Sequence, residues 1–476
     1  MKKADPNPKA NRNILKLVYV IVALFLGLIA YMAYFLQVRG EDVINNSYNA
    51  RLDSFADRII RGKILASDGT VLAETQIDAD GNETRIYPYG SVFDHAVGYS
   101  TKGKTGIESL ANFFLLTSHV NLMEQALNQM SGEKNLGDNV YTTLDPQLQQ
   151  AAWDALGDRR GAVIAMEPDT GKILAMVSKP GYDPNTIAAD WETLTSGEND
   201  QGQLLNRVTQ GMYPPGSTFK IVTALEYMRE RPEDYRNFQF DCSGLYVNGD
   251  YQIRCYHGNA HGRQDFTLAF ANSCNGAFAS LGLELDLGRF AKTAQDVLFN
   301  SPLPLSGLPY KQSSFAMKPG AGTWEILQTS MGQGVTQITP LHNALITAAI
   351  ANGGTLMRPY LLDRVENVGG EEIRKFLPTA HGNLMTAEEA ANLTELMRAV
   401  VTEGTGSAVR TDAYTVAAKT GSAEFETGKE THAWFTGFAP AESPKIVVTV
   451  VVEEAGSGGR EAAPIARQLF DLYMSR

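Results

Sequence analysis

Cysteine is scarce in this chain of 476 residues: three thiols, Cys242, Cys255 and Cys274, with no Cys-x-x-Cys among them. His257 and His261 stand at H-x-x-x-H spacing, but the seven histidines form no larger ligand pattern, so no metal site is predicted and no cofactor is expected. Positive charge is also short. Lys and Arg number 41 against 53 Asp and Glu, a net charge of −12, which argues against broad nucleic-acid binding. What is present in quantity is core: 43% of residues are hydrophobic and 20% charged, the balance of a globular protein, at a length that implies two or three domains.

The chain divides by composition. Residues 1–16 are short and basic, with Lys2, Lys3, Lys9, Arg12 and Lys16 against Asp5 alone. Residues 17–36 are an uninterrupted uncharged run, and about twenty such residues span a bilayer as a helix. Tyr31 and Tyr34 suit the far interface, and the preceding basic excess places the N-terminus in the cytoplasm and the rest outside. The length of the run and the lack of an Ala-x-Ala site favour an uncleaved anchor over a signal peptide. Residues 37–160 are mixed and read as a separate pedestal. Arg61–Leu72 alternates around an Asp-Gly turn, Ile107–Leu127 has helical character, and Asp145-Pro146 caps a helix through Leu156.

Residues 161–476 open with a hairpin across Pro168-Asp169-Thr170-Gly171 and close with strands near 417–425, 431–438 and 445–453 and a helix near 461–473. Helical segments fill much of 266–287 and 323–352. Strands first and last with helices between fit an α+β unit, one sheet covered by helices. Cys242 and Cys255 flank a short Gly- and Tyr-containing segment, which suits a hairpin-sized disulfide in an oxidising compartment. Three reduced, buried thiols are the other reading.

The candidate chemistry begins at Tyr213-Pro214-Pro215-Gly216-Ser217-Thr218-Phe219-Lys220. The Pro-Pro-Gly turn ends where apolar residues at helical spacing, Ile221, Leu225 and Met228, begin. Ser217 therefore stands at a helix start, where free N–H groups favour negative charge, and Lys220 shares its face. A hydroxyl becomes a nucleophile when a nearby base takes its proton, and an amine can do that. Two further patterns follow in order, Ser273-Cys274-Asn275 and Lys419-Thr420-Gly421-Ser422-Ala423-Glu424. Short patterns arise cheaply: Ser131-Gly132-Glu133-Lys134, Lys104-Thr105-Gly106 and Ser47-Tyr48-Asn49 repeat all three in scrambled order.

S-x-x-K, S-x-N and K-T-G in that order resemble the penicillin-recognising acyl-serine enzymes. The stretches around Ser217, Ser273 and Lys419, with His432–Pro440 and Met331-Gly332-Gln333-Gly334, are similar to penicillin-binding proteins from about Gly161 onward. Arg61-Gly62 and Thr105-Gly106-Ile107-Glu108 resemble the pedestal of the class B type. The resemblance implies a penicillin-recognising, serine β-lactamase-like transpeptidase fold, an antiparallel sheet flanked by helices, behind a transmembrane helix and a mixed pedestal.

It further implies a DD-transpeptidase. Ser217 would attack the bond between the terminal D-alanines of a stem peptide, with Lys220 as base and the cationic Lys419 favouring its neutral form. Ser273 would pass the proton on, and Asn275 would hold Lys220 and the substrate amide. Thr420, Gly421 and Ser422 would bind substrate, and the backbone N–H groups of Ser217 and Ser422 would form the oxyanion hole. β-Lactams are implied as covalent inhibitors, and a polytopic SEDS-type membrane glycosyltransferase as partner. The resemblance gives Cys274 no role, so packing is expected of it. A class D-like β-lactamase, which typically carries Ser-x-Val where Asn275 stands, or a β-lactam sensor or scaffold is the alternative.

Overall fold

The computed structural model describes residues 8–35, 58–197 and 201–476. The first stretch carries one helix, Pro8–Tyr34, apolar and exposed from Leu17 onward, where the uncharged run predicts one. It is long enough to cross a membrane and matches a single-pass anchor or a signal sequence. Leu36 and the Ser47-Tyr48-Asn49 pattern lie outside the described residues.

Five antiparallel strands form the central sheet, in the order Ala417–Ala423, His432–Ala439, Ile446–Val452, Gly161–Met166 and Ile173–Lys179. The opening hairpin thus pairs with the last closing strand, Val450 opposite Val163. Both faces are covered, so the strands are apolar almost throughout. Val163, Ala165, Ala433 and Phe435 pack against the helices Pro146–Leu156 and Gly458–Met474. Ala162, Ile164, Trp434 and Val447 face the core that holds helix Pro340–Ala351. One edge of this sheet, Ala417–Ala423, has no strand beside it among the described residues.

Strand pairing joins the parts of the chain on either side of residue 160. The pedestal's six-stranded sheet runs Glu372–Lys375, Leu362–Glu366, Asn139–Thr142, Ile64–Leu65, Val71–Ile77 and Glu83–Ile86. Its first two strands come from the C-terminal part of the chain, and Val365 pairs with Val140. A strand pair far along the chain leaves no local trace of its partner. Asp94 and Tyr182 add a second tie: the Tyr182 N–H donates to the Asp94 carboxylate at 2.9 Å and its hydroxyl to the Asp94 carbonyl at 2.9 Å.

Two expected helices are broken. Ile107–Leu127 becomes Gly106–Leu110, Asn112–Leu115 and Leu122–Ser131, and the Thr117 hydroxyl donates back to Phe113 O at 2.7 Å where the second ends. Phe266–Leu287 splits into Phe266–Ala271 and Asn275–Gly282, with Ser273 between them at φ +54°. A positive φ at a residue other than glycine is uncommon and tends to mark a working site.

Candidate active site

The serine turn is held in place from three sides. Pro214 and Pro215 offer no N–H to a preceding helix, so the chain enters as a turn. Gly216 takes φ +52°, and a Cβ there would meet Ser422 O and the Ala423 side chain at 3.0 Å. Only glycine lets the turn approach the edge strand so closely. Ser217 then lies in a single 3-10 turn, Gly216–Phe219, and Lys220 begins the helix Lys220–Glu230. Behind the turn, Gly216 N–H donates to Gly332 O at 2.9 Å, and a Cβ on Gly332 would fall 1.9 Å from Gly216 O. From the neighbouring strand, Trp434 Nε1 donates to Pro214 O at 3.1 Å. Trp434 is fully buried, yet its indole also ties down the loop that carries Ser217.

Lys220 and Lys419 are both completely buried, and among the described residues no carboxylate hydrogen-bonds either. Lys220 Nζ donates to Ser273 O at 2.7 Å, Asn275 Oδ1 at 2.8 Å and Ser273 Oγ at 3.2 Å. Lys419 Nζ donates to the same Ser273 Oγ at 3.0 Å and to Thr420 O at 3.1 Å. The positive φ of Ser273 lets one residue present its carbonyl and hydroxyl to the first amine and its hydroxyl to the second. Burial lowers the Lys220 amine to about 8, and lowers Lys419 well below the usual lysine range, where repulsion from Lys220 adds to it. The sequence-based expectation made Lys419 the cause of a neutral Lys220. Burial is the main cause, and the repulsion between the two registers on Lys419.

Ser217, Ser273, Asn275, Thr420, Gly421, Ser422 and Glu424 line one cavity of about 760 Å³. Both lysines lie outside its lining. The fold therefore gathers all three patterns, with the amines behind the hydroxyls. A Cβ on Gly421 would lie 3.3 Å from the N atoms of Ser217 and Thr218, so the edge strand and the serine turn are in contact. The decoys are dispersed: Ser131 and Lys134 close the helix Leu122–Ser131 and its turn, and Thr105-Gly106 packs against Gly98 in the pedestal.

Three contributors escaped the sequence reading. Thr405 and Thr420 share a hydrogen bond between hydroxyls at 2.6 Å. Gln333 Nε2 donates to Ser422 O at 3.4 Å across the cavity. Arg254 O accepts from Asn275 Nδ2 at 2.9 Å, which sets the amide that faces Lys220. None lies near a pattern in sequence, although Gln333 sits in the Met331–Gly334 stretch already singled out.

The expectation of no metal-ligating set is corrected by the fold. Cys242, Cys255, His261 and Cys274 bring one donor atom each to within 4.8 Å of one another. The three cysteines are free, buried thiols, the second of the two readings of the sequence, and the Sγ atoms of Cys242 and Cys255 stand 3.6 Å apart. Cys255 Sγ lies 3.8 Å from Cys274 Sγ, and Cys242 Sγ 3.4 Å from His261 Nδ1. Four tetrahedral ligands at the Zn–S length of ~2.3 Å have edges of about 3.8 Å, so the donor set suits zinc in size and chemistry. The signal escaped because it is spread over two strand pairs, Gln239–Cys242 with Gly262–Asp265 and Leu245–Asn248 with Tyr251–Arg254, and ends in the motif residue Cys274. Hydrogen bonding with Cys274 draws the Cys255 thiol below its usual range, and the bond to Cys255 raises His261.

Comparison with known proteins shows which family the chain resembles. Residues 161–471 match the penicillin binding protein transpeptidase domain, and residues 61–140 the penicillin binding protein A dimerisation domain. The chain is 36% identical over 440 residues to the peptidoglycan D,D-transpeptidase PbpA of Mycolicibacterium smegmatis, covering 86% of this chain and 87% of that one. To the peptidoglycan D,D-transpeptidase MrdA of Acinetobacter baumannii it is 29% identical, over 82% and 66% of the two chains. Among solved structures, the ceftriaxone acyl-enzyme complex of M. tuberculosis penicillin-binding protein A superposes with a TM-score of 0.80 at 32% identity, over 88% of this chain and 99% of that one.

Proposed function

This chain belongs to the class B penicillin-binding proteins, and on that premise we propose how its residues perform the family's reaction. The activity is peptidoglycan D,D-transpeptidation through a serine acyl-enzyme that β-lactams also form. Ser217 Oγ attacks the carbonyl between the two terminal D-alanines of a stem peptide while Lys220, neutral, takes its proton. The tetrahedral oxyanion is met by the N–H groups of Ser217 and Ser422. As the C–N bond breaks, Ser273 hands a proton to the departing D-alanine, and Lys220 and Lys419 supply the relay on either side. The substrate lies along the open edge of Ala417–Ala423, its carboxylate at Thr420 and Ser422, with Thr405 orienting the Thr420 hydroxyl. The amine of a second stem peptide then attacks the acyl carbon and releases Ser217.

The observation that carries these roles is one hydroxyl, Ser273 Oγ, shared by two buried amines at 3.2 and 3.0 Å. Incubation with a fluorescent penicillin and mass spectrometry of the labelled peptide tests them. Label is expected on Ser217, to be lost in Ser217→Ala, with an adduct that outlasts the experiment. Label elsewhere refutes the assignment, and turnover within seconds identifies a β-lactamase.

The N-terminal helix is read as an uncleaved anchor, with the N-terminus cytoplasmic and both folded units outside. A chain that makes cross-links but no glycan needs a glycan-polymerising partner, and a polytopic SEDS-type glycosyltransferase fits a single-span anchor. The H. pylori penicillin-binding protein PBP2, solved in complex with MreC, shares this fold at 20% identity.

Cys242, Cys255, His261 and Cys274 would hold a zinc ion in a structural role. The measurement is metal content of the purified full-length protein, with one zinc per chain expected and none in Cys274→Ser. A wild-type chain purified without zinc, from zinc-replete cells, refutes it.

A further inference from the structure

The thiol cluster stands where the catalytic machinery is held. Cys274 is the middle residue of Ser273-Cys274-Asn275 and precedes the helix Asn275–Gly282. Cys242 and Cys255 belong instead to an excursion, residues 239–265, built of two small strand pairs. That excursion reaches the motif in two places. One is the donor cluster itself, Cys255 Sγ against Cys274 Sγ at 3.8 Å. The other is Arg254 O, which accepts from Asn275 Nδ2 at 2.9 Å, while Asn275 Oδ1 accepts from Lys220 Nζ at 2.8 Å. Arg254 adjoins Cys255, so the backbone beside this thiol sets the amide that holds the base. Cys255 and His261 also line the catalytic cavity, so the cluster, though Cys255 is only 4% exposed, is approached from that side.

We propose that Cys242 and Cys255 are a thiol–disulfide modification site, read from the catalytic cavity, whose oxidation slackens the S-x-N motif and slows acylation of Ser217. The partner chemistry is a small-molecule or protein disulfide. Cys255 Sγ attacks one sulfur of that disulfide, its S–S bond breaks, and the first thiol leaves with the proton that Cys255 gave up. Cys242 Sγ, 3.6 Å away, then loses its proton and displaces the second thiol. Two protein thiols lose two electrons and two protons, and the oxidant becomes two thiols.

Closure shortens the Sγ–Sγ separation from 3.6 Å to ~2.05 Å, so the two sulfurs must approach by about 1.5 Å, beside Arg254. Two of the four donors leave the cluster at the same step, which frees any zinc and leaves Cys274 without its tie. The reduced cluster braces the motif, and the oxidised excursion closes on itself. A zinc centre built from carboxylates could not respond in this way, because the response needs two thiols in contact. The inference rests on the Ser217 assignment for its rate measurement, and on the zinc reading only for the metal release.

The experiment uses the full-length protein in detergent, held in oxidised glutathione or in dithiothreitol with zinc. Three signals are followed: cysteine pairing by non-reducing peptide mass spectrometry, zinc release by a chromogenic chelator, and the rate of Ser217 acylation by fluorescent penicillin. Oxidation is expected to link Cys242 to Cys255, release zinc and slow acylation about tenfold, the low end of what losing a supporting contact to a site costs. Dithiothreitol with zinc should restore the rate. Cys242→Ser, whatever its reduced rate, should lose the response.

Failure of the link to form in saturating oxidant overturns the proposal, as does a link with an unchanged rate or a response retained in Cys242→Ser. Absence of label in the reduced protein overturns the Ser217 assignment instead, and with it the rate consequence. A link and a slowed rate without any zinc overturn only the metal reading.

Discussion

Two buried charge clusters in this molecule are built to opposite rules. In the pedestal, Glu108 is fully buried and meets Arg61 Nε at 2.6 Å and Arg85 Nε at 2.8 Å, with Tyr87 OH donating at 3.2 Å. Arg61 also donates to Asn112 Oδ1 and Glu108 O, each at 2.6 Å. In the catalytic unit, Lys220 and Lys419 are equally buried but share a serine hydroxyl and have no carboxylate hydrogen-bonded to either. Burial pushes the Glu108 carboxyl up, but the two guanidiniums outweigh it and hold the group below its ordinary value. For Lys220 burial wins and the amine falls to about 8. A buried charge with its counter-charges is structure, whereas buried amines with no carboxylate bonded to them are poised to give up a proton.

The largest effect should follow from removing the base. Lys220→Gln keeps hydrogen bonds available to Asn275 and Ser273 but cannot take a proton. Acylation of Ser217 by penicillin is expected to fall by about 10²–10⁴, the range for a general base, as read from the second-order labelling rate. The thermal midpoint should hold or rise, because a poorly compensated buried ammonium is removed. A large loss of stability with a modest loss of rate would mean that Lys220 is structural.

Glu108→Gln inverts that pattern. It leaves Arg61 and Arg85 buried with no anion, which costs about 3–5 kcal/mol, seen as a lower denaturation midpoint. Folded protein should still acylate at nearly the wild-type rate. The pH dependences of the two clusters also run apart. Glu108 has a folded pKa below its unfolded one, so its stabilisation is present above the ordinary Glu value of ~4.3 and is lost as pH falls through the folded value. Lys220 has a folded pKa near 8 and an unfolded one near ~10.4, so the unfolded chain binds more protons between them and stability from this group rises with pH across that window. Acylation should rise through a midpoint near pH 8 as the amine becomes neutral. A rate that is flat from pH 7 to 9 would contradict Lys220 as base.

How much of this the sequence revealed depends on chain distance. Ser217 and Lys220 sit one turn apart, and the Lys419-Thr420-Gly421 pattern follows them along the chain, so the site could be read from order alone. The closing strands near 417–425, 431–438 and 445–453 were legible because a buried sheet leaves largely continuous apolar runs. The break at Ser273 was not, because a single positive φ has no composition to betray it. Neither was the pairing of Leu362–Glu366 with the pedestal, nor the meeting of Cys242, Cys255 and His261 with Cys274, since both are decided by tertiary packing. Arg61 and Glu108 were noticed as family features, and only the fold shows them bonded to each other.

The smallest effect separates pattern from site. Ser131 and Lys134 repeat the S-x-x-K spacing of Ser217 and Lys220 in the same chain. Ser131 is exposed, and its hydroxyl donates to Asn128 O at 3.1 Å within its own turn. Lys134 is half-exposed and pairs with Glu83 at 2.6 Å, so its amine is engaged by a carboxylate rather than by a serine hydroxyl. Ser131→Ala with Lys134→Met should therefore leave Ser217 labelling unchanged and cost no more than about 1 kcal/mol, the value of a surface ion pair. Residual label on Ser131 in Ser217→Ala would show that spacing alone can activate a serine. Its absence would assign activation to burial, to the shared Ser273 hydroxyl and to an amine left without a counter-charge.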